Sequence, residues 1–194
     1  MSNWVPRTTR SGIEYGGAQS AYYWTYAYNA GANSSLCLAN CTTYVYGRLQ
    51  EAGDTPPVVY GFPNAEYWHG SLANGWTYIP YRFQDLEPGD VLEWSNGMNH
   101  VAVVEEVGTS PYNYYRVSES LYTERDESLS LAQISAWMIA NYPNRFFYYG
   151  QGTSAYSAAP TYILKNPAHH GIGENGFRFL SKKRKNKRRV MLYV

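Results

Sequence analysis

Apolar residues recur along this chain with two different periods, and the change of period marks its elements. Between Cys41 and Ala52, Val45 and Leu49 lie four apart with Thr42 and Tyr46 beside them, the spacing of one inward-packed helix face. Asn40 is a favoured N-cap and Gly53 a favoured left-handed residue beyond the last turn, so a helix is expected over about 41–52. Asp54-Thr55-Pro56-Pro57 then forces an extended connection. A second short helix is expected from Asn64 to Leu72, closed by Asn74-Gly75. Next the pattern turns strand-like. Val91–Trp94 follows the turn Glu87–Asp90, His100–Val107 follows Asn96-Gly97, and Asn113–Ser118 follows a turn through 108–111. Residues 127–141 return to helical spacing (Leu129, Leu131, Ile134, Trp137, Met138), and Arg145–Tyr149 and Tyr162–Leu164 read as the last strands. Residues 1–36, rich in Gly, Asn, Ser and aromatics, read as an irregular or partly helical leader packed on the body.

This placement brings reactive side chains to informative positions. Cys41 starts a helix, where unpaired backbone N–H groups and the positive end of the dipole favour an anion. A thiol there, beside an imidazolium, ionises far more readily than a free one. His100 opens a strand. If the next two strands pair as a hairpin with 108–111 as its loop, Val107 faces Tyr112 and His100 falls directly opposite Glu119. A thiol at a helix start and an imidazole on a strand are the two parts of a cysteine-nucleophile amidase, and Glu119 adds an orienting carboxylate. Burial statistics alone give blander readings: a buried structural thiol, a satisfied strand histidine, and a surface acid like Glu105, Glu106 or Glu124.

Composition changes the picture in two places. Only 16% of the 194 residues are charged, and 21 are Tyr, which suits a binding surface or half-buried strand residues. The net charge of +1 hides an asymmetry. Seven of the 16 Lys+Arg lie in 181–194, so the other residues carry 9 against 15 Asp+Glu, a net of −6. Cys37 and Cys41 are the only cysteines, too few for a disulfide framework, and no second pair completes a zinc site. No apolar run is long enough to span a membrane, and no secretion signal is recognisable at the N-terminus.

The stretch Asn40-Cys41-Thr42-Thr43-Tyr44-Val45-Tyr46-Gly47-Arg48 resembles the nucleophile motif of CHAP domains, the cysteine- and histidine-dependent amidohydrolases/peptidases. Further similarities follow in the family's order: Asn64-Ala65 to Trp68, Pro88-Gly89-Asp90-Val91-Leu92 to Trp94, the run from His100 to Val107, and Val117-Ser118-Glu119-Ser120. The resemblance implies an α+β, papain-like fold of the NlpC/P60-CHAP type, with N-terminal helices packed on a small antiparallel sheet. It divides the chain into a leader at 1–36, a CHAP-like catalytic domain at 37–167 and a basic tail at 168–194. It implies amide hydrolysis in peptidoglycan, at muramoyl–L-alanine or in the stem or cross-bridge, with Cys41 as nucleophile, His100 as base and acid, and Glu119 as orienting group.

Some phage lysins of that family add an asparagine two residues beyond the acid, where this chain has Leu121. Some bind calcium through acids just upstream of the nucleophile. Residues 29–40 hold no Asp or Glu, so no metal or other cofactor is expected. The expected partner is bacterial peptidoglycan, with wall teichoic acid attracted by the basic tail and virion proteins as a further class; neither membrane nor nucleic acid is expected. A chain made in a bacterial host's cytoplasm without a signal would reach the wall at lysis or within a virion. Two other readings stay open: an amidase of small peptide conjugates on the same fold, and a non-catalytic phage structural or binding subunit.

Overall fold

The computed structural model describes residues 4–24, 40–59, 63–121, 129–152 and 158–169. Cys37, the acid-free stretch before Asn40 and residues 170–194 of the basic tail fall outside these, as does Glu124. Six strands form one antiparallel sheet: β1 (Thr77–Pro80), β2 (Val91–Trp94), β3 (His100–Gly108), β4 (Tyr114–Glu119), β5 (Tyr148–Gly150) and β6 (Tyr162–Lys165). Their spatial order is β1-β6-β2-β3-β4-β5. With helices α1 (Ser20–Trp24), α2 (Cys41–Glu51), α3 (Leu131–Asn141) and α4 (Pro143–Phe146), the class is α+β.

Strand alternation builds two apolar layers. Val91, Val101, Val103 and Leu164 face Tyr44, Val45 and Leu49 of α2. Leu92, Ala102, Val104, Val117 and Ile163 face the other way, under Leu86, Ile79, Tyr81 and Phe83. The second helix expected after Asn64 is a 3-10 turn, Ala65–Gly70, whose buried Trp68 joins the α2 layer. β1 was not legible as a strand: only four residues long and mostly exposed, it lacks an apolar alternation.

α2 ends as its sequence dictates. Gly53 adopts φ +85°, its N–H donates to Gln50 O and that of Asp54 to Leu49 O, the paired bonds of a Schellman cap. Burial is not confined to one face, however: every residue from Thr42 to Leu49 is buried. The reason is the N-terminal segment, whose Ile13, Tyr23 and Trp24 enter the same core and cover the side of α2 away from the sheet. At the crossing a Cβ on Gly47 would lie 2.6 Å from Tyr22 O, so only glycine permits this approach.

The β3–β4 hairpin departs from the register expected above. Gly108 pairs with Tyr114 and Val107 with Tyr115, leaving 109–113 as the loop; Pro111 within it has no N–H to offer a ladder. Glu105 is then an extra residue between the pairs Val104–Val117 and Glu106–Arg116, a β-bulge. Nor is Glu105 a surface acid. It is fully buried, accepting from Arg48 Nε at 2.8 Å, Arg48 Nη2 at 3.0 Å, Trp4 Nε1 at 3.1 Å and the Arg7 N–H at 3.0 Å. Arg145 and Phe146 lie in α4 and not in a strand, because Pro143 at the first helical position favours a helical turn. α3 starts at Leu131 with a capping box between Ser130 and Gln133, later than the expected 127, and residues 122–128 lie outside the described ones.

Candidate active site

Asn40 sets the start of α2. Its Oδ1 accepts the Thr43 N–H at 3.0 Å and the hydroxyls of Thr42 and Thr43 at 2.8 and 2.9 Å, while its carbonyl accepts the Tyr44 N–H at 2.8 Å. Cys41 therefore sits at the first helical position, partly buried, beside the positive end of the helix. Its thiol lies close enough to His100 to raise the imidazole's pKa.

His100 is the first residue of β3, launched by Asn99 at φ +48° after the turn through Gly97. Strict alternation groups it with Ala102 and Val104, on the face away from α2. As the terminal residue of its strand it lies where the sheet ends, and there it meets the thiol at the helix start. Trp94, directly across the ladder, packs its ring 5.5 Å from the imidazole. Glu119 ends β4, and its Oε2 hydrogen-bonds with His100 Nε2. The other ring nitrogen, Nδ1, is then the one that can serve the thiol.

Both members of this pair are buried. Burial pushes the imidazole's pKa down, but the hydrogen bonds and negative charge of Cys41 and Glu119 outweigh it and raise it to about 9. The site thus favours an imidazolium between two acids at neutral pH. Thiol, imidazole and carboxylate come from a helix start, a strand start and a strand end, all at one end of the sheet. All three residues singled out in the sequence meet.

The CHAP domain family matches residues 10–120, more than half of the chain and all three of these residues. The chain belongs to the CHAP family. CHAP domains are typically cysteine- and histidine-dependent amidohydrolases or peptidases, and the family points to peptidoglycan as substrate. No curated protein and no solved structure matches the chain. The match opens at residue 10, so the CHAP similarity includes the segment of Ile13, Tyr23 and Trp24 that wraps α2. Among the described residues no group of three or more His, Cys, Asp or Glu is arranged to hold a metal ion.

Sequence reasoning missed one feature of this CHAP domain's site end. His69, on the 3-10 turn Ala65–Gly70, has its Nδ1 2.6 Å from Glu93 Oε1. The signal was Glu93 itself, an acid inside a strand whose other residues are Val, Leu and Trp.

Proposed function

We propose that this protein is a peptidoglycan hydrolase that cleaves an amide bond through Cys41, His100 and Glu119, in a papain-like arrangement of helix and sheet. The observation that carries the reading is the convergence of Cys41, at a helix N-terminus, with the hydrogen-bonded pair His100–Glu119. The thiolate attacks the amide carbonyl, and the Cys41 backbone N–H, one of the unpaired donors at the helix start, would meet the resulting oxyanion. His100 gives its proton to the leaving amine as the C–N bond breaks, leaving a thioester on Cys41. His100 then takes a proton from water, whose oxygen attacks the thioester. The C–S bond breaks, and acid product and thiolate are released. Glu119 holds the ring in place and favours its charged form.

The biological setting we favour is a phage endolysin or a virion-associated wall hydrolase. The basic segment Lys182–Arg189 supports it, since it would be drawn to anionic wall teichoic acid. The test is clearing of Gram-positive walls by wild type and Cys41→Ala, with mass spectrometry of released fragments. Clearing that vanishes with the substitution is expected, and the new termini name the bond. Clearing that survives it would overturn the mechanism. Failure of wild type on a broad panel of walls would favour a small-conjugate amidase or a binding subunit.

A further inference from the structure

A second histidine–carboxylate pair stands at the same end of the sheet. His69, on the 3-10 turn Ala65–Gly70, engages Glu93 twice: Nδ1 with Oε1 at 2.6 Å, and its backbone N–H to Oε2 at 2.9 Å. Glu93 is fully buried, and burial outweighs the His69 bonds to hold its carboxyl above the ordinary range. A buried acid spent on one partly exposed ring fixes that ring's orientation. Two further rings complete a cluster. Tyr162 lies 4.5 Å from the imidazole at a 32° tilt, and Tyr78 lies 5.5 Å away, edge-on. The two tyrosines are 5.2 Å apart, and Tyr78 is 47% exposed.

The sheet register fixes where this cluster stands relative to Cys41. Glu93 pairs with Val101 on one side and with Tyr162 on the other. Tyr162 is thus two strand spacings, about 10 Å, from the strand that His100 opens. Directly paired residues share a face, so Glu93, Val101 and Tyr162 lie on the side that carries α2. A substrate presenting its amide to Cys41 and running across the sheet end meets these rings next.

We propose that His69, Tyr78 and Tyr162 form a saccharide subsite for an aminosugar of the glycan next to the scissile amide, an inference that rests on the peptidoglycan reading. A sugar ring has an apolar C–H face and a polar edge. The cluster answers with aromatic faces whose rims carry phenol hydroxyls and an imidazole nitrogen. A stem-peptide carboxylate would call for a cation, and among the described residues no Lys or Arg stacks on or ion-pairs with these three rings.

The experiment is an NMR titration of the full chain with the N-acetylglucosamine tetramer. Wild type is expected to bind saturably, and Tyr78→Ala to bind about tenfold more weakly. Tyr78→Phe keeps the ring and should retain most of the affinity. Tyr112→Ala, 68% exposed in the hairpin loop at the far end of the sheet, should bind as wild type does. No binding by wild type, undiminished binding by Tyr78→Ala, or complete loss in Tyr78→Phe would each overturn the subsite. The tetramer carries no stem peptide, so the titration reads the subsite without the chemistry at Cys41. Tetramer binding by a protein that leaves walls uncut would sink the hydrolase reading alone. Wall cutting without tetramer binding would sink the subsite alone.

Discussion

Glu119 reaches His100 diagonally across the β3–β4 ladder and not from the directly opposed position. Val103 pairs with Ser118, and continuing that register sets Glu119 opposite Ala102. The displacement from direct opposition to His100 is two residues, an even number, so both side chains stay on one face of the sheet. A long carboxylate side chain spans the diagonal. A slip of one residue would have separated them.

That pairing sets a pH dependence. The folded-state pKa of His100 is raised from 6.5 to about 9, so its stabilising contribution is whole below about pH 6.5 and is lost as pH rises through about 9. If the ion-paired thiol is the reactive form, activity should fall on an alkaline limb near pH 9. Glu119→Gln removes one cause of the raised value, so that limb should move to lower pH. A pH–rate profile alongside an NMR titration of the imidazole measures both, and a limb unmoved in the variant would refute the role given to Glu119.

Asn40 is the cap on which the placement of Cys41 depends. Asn40→Ala removes the acceptor for the Thr43 N–H and for two threonine hydroxyls. The expected cost is about 1 kcal/mol of unfolding free energy. A wall-clearing rate that drops further than that destabilisation explains would show that the cap also aims the thiol. Urea unfolding and turbidity clearing on the same preparation separate the two effects.

Glu105 ties the N-terminal segment to α2 and to the sheet. Glu105→Ala would leave the Arg48 guanidinium, nearly fully buried, without its carboxylate. Breaking a buried pair in this way costs about 3–5 kcal/mol. Denaturant unfolding should record a loss of that size. A change below about 1 kcal/mol, the range of an exposed pair, would mean that the network contributes little.

How much of this was legible in the chain follows from the range of the forces involved. Local signals were sufficient for α2: Asn40 caps it, Gly53 ends it, and Cys41 must then stand at its N-terminus. They sufficed for β2 and for the start of β3, because β-branched runs between turn residues read as strands at any position in a fold. The resemblance of Asn40–Arg48 and of the His100 strand to CHAP domains also needed no coordinates. The face shared by His100 and Glu119 was legible because side chains alternate with period two, and that parity survived an error in register.

Other features depend on contacts between distant segments, which no local pattern encodes. The bulge at Glu105 arises where a buried acid meets Arg48, 57 residues away in the chain. The burial of α2 on every side needed the N-terminal segment to close over Gly47. The pairing of His69 with Glu93 needed a 3-10 turn to fold over β2. The sequence by itself determined α2, β2, the start of β3 and the family, and it singled out Cys41, His100 and Glu119. Only the tertiary structure decided the hairpin register, the buried charge network and the ring cluster beside the site, because each is a balance of burial and pairing between segments far apart in the chain.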